Sequence, residues 1–263
     1  MADFDLCAGY EGGLGLVAYE DALARVLAYV GEAGTGWATY DLPAIHARRA
    51  GQFQAVGPWS ILFANALSGR VDQKDVAGFT LSRRTDFADR VSRVPDHVPL
   101  ADLSNEQVTA VVDLASFGFK GVWGPKITKL AALYRPDAVP VLDGQMARAF
   151  GLGEDAFRRA GQWKVHIEAV IREIAAWHRV GENRELLSQL RAEASNFAVE
   201  ITLLSDVRLL DIIVWTTQDD RFSRRTTKTK AWVDIKPSGA GPTLASAEAV
   251  PIPGHAGLGL PGV

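Results

Sequence analysis

Residues 117–150 read FGFKGVWGPKITKLAALYRPDAVPVLDGQMARAF, and the fold turns on how this stretch is divided. Gly121 and Gly124 bound a turn, because glycine alone adopts strained turn conformations at little steric cost. Pro125 and Lys126 then open a short apolar helix, Ile127 to Tyr134, with proline at the helix start where its missing N–H is harmless. Arg135 to Leu142 is an extended run stiffened by Pro136 and Pro140, and it delivers Asp143 to the start of the next helix. A lysine at one helix start and an aspartate at the next, joined by a rigid link, form a candidate pair of reacting groups.

Upstream of this stretch, Ser104 and Gln107 have the spacing of a capping box. They predict a helix through Ala115 that turns Val108, Val111, Val112 and Ala115 inward. Tyr19 to Val30 reads as an amphipathic helix stopped by Gly31. Pro58 predicts a buried helix ending at Ser68-Gly69, and two short helices are expected near 72–79 and 82–94. Downstream, Glu154 to Val180 reads as one long helix with Ile167, Val170, Ile171, Ile174 and Trp177 as its stripe, and Asn183 to Ala194 as another. Ser205 can cap the helix D-V-R-L-L-D-I-I-V-W, whose all-round apolar character argues for burial. Strand signals are few: A-V-P-V at 138–141 holds too much proline for a central strand, and K-A-W-V-D-I at 230–235 reads as an edge. The expected architecture is all-α, with about ten helices over 1–216. A basic linker or edge over 217–236 and a disordered, Gly/Pro/Ala/Ser-rich tail over 237–263 are expected to follow.

Bulk composition narrows the function. The 263 residues carry a net charge of −3, so there is no basic footprint over the whole chain, and nucleic-acid binding would need a local patch. The single cysteine, Cys7, excludes an internal disulfide, a cysteine-based zinc site and a four-cysteine iron–sulfur cluster. None of the five histidines, His46, His97, His166, His178 and His255, lies at metal-ligand spacing from another, and no Walker, dinucleotide or G-x-S-x-G fingerprint occurs. No metal or other cofactor is expected. The acidic N-terminal M-A-D-F-D-L and the lack of an 18-residue apolar run point to a cytoplasmic protein without a membrane partner.

Four basic residues, Lys120, Lys126, Lys129 and Arg135, fall between 117 and 136 with no acid among them. A glycine turn leading into a helix N-terminus can present N–H groups to a phosphate, and that charge count fits a clamp on a DNA backbone. The plainer reading is an ordinary helical corner with solvated lysines. Lys126 sits in the first helical turn, where the macrodipole disfavours a cation. An amine nucleophile suits that position better than a structural ammonium, and Lys129, one turn on, is the rival. Asp143 fits both a helix N-cap and a carboxylate that accepts a proton or stabilises a developing cation. Arg221, Arg224, Arg225, Lys228 and Lys230 form a second basic run, readable as a phosphate patch or as a solvated linker.

G-V-W-G-P-K-I-T-K-L followed by R-P-D-A-V-P-V-L-D-G-Q-M resembles the signature of helix-hairpin-helix DNA glycosylases, and within them the bacterial 8-oxoguanine glycosylase type. The resemblance covers about 35 residues and implies a nucleoid-associated protein acting as a monomer. It implies a flipped-out damaged or modified purine in double-stranded DNA as substrate, Lys126 as Schiff-base nucleophile and Asp143 as catalytic carboxylate, with strand cleavage as a further step. It also implies hairpin contacts to DNA from Lys120, Gly121, Gly124 and Lys129, and a base pocket drawn from Phe117, Phe119, Trp123, Asp211 and Trp215. The same aromatics at helical spacing read more readily as core. Trp123 and Leu142 are insertions relative to that signature, and Gln145 stands where the signature commonly has histidine. The segment L-L-S-D-V-R-L-L-D-I-I-V-W with the K-L…R-P…V-P-V-x-D core also resembles a group of uncharacterised actinobacterial proteins, which implies no activity. The alternative function is a non-catalytic helix-hairpin-helix protein that binds DNA or a protein partner.

Overall fold

Ser104 accepts a hydrogen bond from the Gln107 N–H while Gln107 accepts one from the Ser104 N–H, so the capping box forms and starts the helix Asn105–Ala115. The computed structural model describes residues 3–7, 11, 13–31, 36–159, 161–219 and 222. Among them it contains ten α-helices and no strand beyond two isolated bridges, so the fold is all-α. In chain order the helices are α1 (Tyr19–Gly31), α2 (Leu42–Arg49), α3 (Gln73–Gly78), α4 (Arg84–Arg93), α5 (Asn105–Ala115), α6 (Pro125–Tyr134), α7 (Gly144–Ala149), α8 (Trp163–Arg179), α9 (Gly181–Ser195) and α10 (Asp206–Thr217). The expected edge at 230–235, the five basic residues Arg221, Arg224, Arg225, Lys228 and Lys230, and the tail lie outside the described residues.

Two elements differ from expectation. The segment after Pro58 winds as a 3-10 helix, Ser60–Leu67, ending in Ser68 in the left-handed region. The long helix begins only at Trp163. Residues 154–159 instead fold back in turns, between Gly153 and a Gly161 with φ +84°. This fold-back buries Ala156 and Phe157 and lays the chain across the α5–α6 corner.

The core is contiguous and helical, and α10 lies at its centre. Val207, Leu209, Leu210, Ile212, Ile213 and Val214 are all buried, and the helix packs on α1, α7 and α9. An apolar helix surrounded in this way is stable only when covered on every side, so its few polar residues must find partners inside.

Between α5 and α6 the chain makes a tight hairpin. Phe119 and Val122 exchange two backbone hydrogen bonds of 2.8 Å, with Lys120 and Gly121 at the tip and Gly121 at φ +87°. The extended run after α6 is held from the side. The Leu142 N–H donates to Thr128 Oγ1 (3.1 Å), and the Thr128 hydroxyl faces the Leu142 carbonyl (3.2 Å). Thr128 thereby pins the residue before Asp143 against α6, and Leu142 itself is fully buried.

Candidate functional site

A cavity of about 330 Å³ opens where α6, the start of α7, α10 and the Leu67–Arg70 turn converge. Lys129 and Asp143 both line it. Lys129 is 4% exposed; its Nζ donates to the Leu67 carbonyl and lies 3.9 Å from Asp143 Oδ2. Burial lowers its pKa; Asp143 works against that shift, and Arg158 and Arg208 add to it. A buried lysine whose ammonium is disfavoured by desolvation is a source of neutral amine.

Asp143 is the N-cap of α7, as one of its two sequence readings expects. Its Oδ1 accepts from the N–H groups of Gln145 (3.0 Å) and Met146 (3.4 Å), capping α7, while Oδ2 accepts from Trp215 Nε1 (3.2 Å) and faces the amine. The cap fixes one oxygen and leaves the other oriented into the cavity. Trp215, Tyr29 and Phe222 form an aromatic wall, with ring centroids 5.6 to 6.4 Å apart.

Behind that wall lies a buried ionic network centred on Arg208. Its Nε and Nη2 donate to Asp41 Oδ1 (2.7 Å) and Oδ2 (2.9 Å), Nη2 also reaches the Tyr29 hydroxyl (3.0 Å), and Nη1 bonds Asp211 Oδ2. Tyr29 donates to Asp41 Oδ2 at 2.7 Å. Asp211 is 2% exposed, and burial pushes its carboxyl up to about 7; Arg208 opposes the rise and Asp143 adds to it.

Several expected site residues lie elsewhere. Lys126 does not meet Asp143. Its Nζ is bound by Asp75 Oδ2 (2.5 Å) and by the Gly121 carbonyl (3.1 Å), on the far side of the corner. The lysine beside Asp143 is Lys129. Phe117 and Phe119 pack with Phe79 and Phe87, and Arg90 sits over the Phe117 ring, so both are core aromatics and not cavity walls. Trp123 donates to the Arg158 carbonyl (3.0 Å), anchoring the fold-back without lining the cavity. Asp211 stands behind the cavity and Trp215 in its wall. At the hairpin, Lys120 and Gly121 are exposed, but Gly124 is buried under the Phe157 backbone. Asp75 also lies against Gly121, so the basic count of the hairpin is offset by a carboxylate from α3.

Sequence reasoning passed over Tyr29, Arg70, Arg158 and Arg208, all of which line the cavity. One signal was available: Arg208 and Asp211 are charges three apart in a helix otherwise apolar all round, where only a buried purpose keeps them.

The model of a family of unknown function, DUF6308, matches residues 21–218. The chain belongs to that family. The match runs from α1 to the end of α10 and so takes in the cavity residues except Phe222. No curated protein and no solved structure matches the chain. Among the described residues no group of three histidine, cysteine or acidic side chains could hold a metal ion, and no helix is long and apolar enough to cross a membrane.

Proposed function

We propose that the cavity is the base pocket of a DNA glycosylase acting on a damaged or modified purine, with Lys129 in the nucleophile role and Asp143 as its carboxylate. The observation that carries the reading is the pair itself: a buried lysine amine 3.9 Å from a helix-capping carboxylate, in the wall of a cavity with an aromatic side. Its volume falls at the lower end of the range for small-ligand pockets, about 300 to 1,000 Å³. Trp215, Tyr29 and Phe222 offer faces on which a flipped base can stack, and Arg70 and Arg158, both exposed at the rim, suit flanking phosphates.

In this mechanism the nucleotide leaves the duplex, and Asp143 takes a proton from the Lys129 ammonium or stabilises the cationic sugar. The Lys129 nitrogen lone pair attacks C1′, and the bond to the base breaks with its electron pair leaving on the base, which then picks up a proton. The nitrogen, having given one proton to the base, pushes open the C1′–O4′ bond; O4′ takes up the remaining amine proton and an imine is left, from which loss of a C2′ proton and of the 3′-phosphate cuts the strand.

The second reading is a non-catalytic helix-hairpin-helix protein that binds DNA or a protein partner. It is favoured by the exposed Lys120–Gly121 tip, which is independent of the cavity. Borohydride trapping on duplexes bearing different base lesions separates the two. The expected result is a covalent protein–DNA adduct that is lost in Lys129→Gln and retained in Lys126→Gln. An adduct that survives Lys129→Gln and disappears in Lys126→Gln overturns the assignment to Lys129. Binding without base release or adduct on every lesion establishes the second reading.

A further inference from the structure

The carboxylates around the cavity are unequally served. Asp143 accepts from three donors, the N–H groups of Gln145 and Met146 and the indole of Trp215. Asp41 likewise has three, two nitrogens of Arg208 and the Tyr29 hydroxyl. Asp211 has one, Arg208 Nη1, and its Oδ1 is buried with no hydrogen-bond partner. An ionised carboxylate left half unsatisfied in the interior is costly, whereas a neutral acid there is not. Asp211, with the fewest donors of the three, is therefore the carboxyl best suited to hold a proton.

We propose that Asp211 is a positioning residue that sets the charge of Lys129: as a neutral acid it lets the amine shed its proton, and as a carboxylate it holds the ammonium. The proposal rests on the reading of Lys129 as the reacting amine. Asp211 sits one turn after Arg208 and one turn before Trp215, both in the cavity wall, so its charge acts on the site from directly behind. The upward direction of its pKa, to about 7 through burial, agrees, and the Asp211 charge raises the pKa of Lys129 against the larger effect of that lysine's own burial.

The other groups facing α10 do not duplicate this role. From α1, Tyr29 bonds Asp41 and Arg208, and Arg25 donates to the Thr216 carbonyl at the far end. From residues 37–41 come Asp41, already paired, and Tyr40, whose hydroxyl donates to the Lys129 carbonyl. From α7 comes the capped Asp143, and Arg158 acts on Lys129 from the fold-back. From α9 come buried leucines and Arg191, which pairs with Asp206 at the opposite end of α10.

The test is the titration of the Lys129 amine in the full chain without DNA. It is read from the ¹³C shift of lysine Cε and assigned by the signal lost in Lys129→Gln. If Asp211 sets the charge of the amine, the two groups exchange protons as a pair, and the wild-type curve should be broader than a one-proton transition. In Asp211→Asn the midpoint should fall by about one pH unit, as removing a nearby buried charge at an effective dielectric near 20 requires, and the curve should sharpen. An unchanged midpoint in folded Asp211→Asn overturns the proposal. Should that variant fail to fold, a one-proton curve in the wild type does so alone. The titration needs no substrate, so its outcome and that of the adduct assay are read separately.

Discussion

Gly124 carries the geometry of the site on a single backbone position. It precedes Pro125 at φ +53°, and a Cβ there would stand 2.0 Å from the Phe157 carbonyl oxygen. The obstacle is backbone, so no side-chain rotation relieves it. Gly124→Ala should therefore lose at least about 2 kcal/mol of stability in chemical denaturation, from left-handed strain plus forced separation of the fold-back. A loss of less than about 0.5 kcal/mol, the ordinary surface value, would show that the corner yields freely. The sequence marked Gly124 as special but for another reason, as an open approach for phosphate. Closeness to a ligand and closeness to the protein's own backbone make the same demand on a glycine, and the sequence cannot separate them. The choice between Lys126 and Lys129 was hidden in a similar way. The two are three residues apart on one short helix, and what divides them is Asp75, 51 residues before Lys126, which engages the first and leaves the second to Asp143. Asp143, whose neighbours in sequence are also its cap partners, was legible as a helix cap.

At the scale of elements, helices with a local start signal and a steady stripe were legible: α1, α5 and α10 begin at or within a residue of their expected places. The stretch 154–162 was not, because its apolar spacing continues the pattern of α8 while Gly153 and Gly161 interrupt the backbone. Periodicity reports a buried face, and a chain folded back over a corner buries a face as well as a helix does. In α10 the packing tolerates Arg208 and Asp211 only together. Arg208→Met fills the same space but leaves Asp41 without two of its donors and Asp211 without its single one. Removing one member of a buried charge cluster in this way typically costs about 3–5 kcal/mol. Urea unfolding of Arg208→Met should show a loss of that order, and the triple variant Arg208→Met/Asp41→Asn/Asp211→Asn should recover part of it. A triple variant no more stable than the single one would mean that the carboxylates are not what the arginine stabilises.

Across the whole molecule, α1 and α10, the first and last helices described, close against each other over α7, and the cavity with its charge cluster lies at that junction. The stability of the chain should therefore record the protonation of the cluster. Asp211 has an unfolded value near 3.8 and is raised to about 7 by burial in the fold. Between those values the folded chain holds a proton that the unfolded chain has released, so stability from this group is fully present below about 4 and is lost as pH rises through about 7. The rise from 3.8 to about 7 sets an upper scale on the order of 4 kcal/mol. Other buried groups contribute their own slopes. Burial lowers the pKa of His178, for example, so its contribution is present above the ordinary histidine range and fades as pH falls. The difference between wild type and Asp211→Asn removes those shared contributions. Measured by denaturation from pH 4 to 9, the stability of the wild type relative to the variant should decline steadily up to about pH 7 and stay level beyond it. A difference independent of pH would mean that Asp211 does not change its charge in this range. A difference that grows with pH would mean that the fold favours the carboxylate, with Arg208 outweighing burial in a cluster where Asp41 already holds most of its donors.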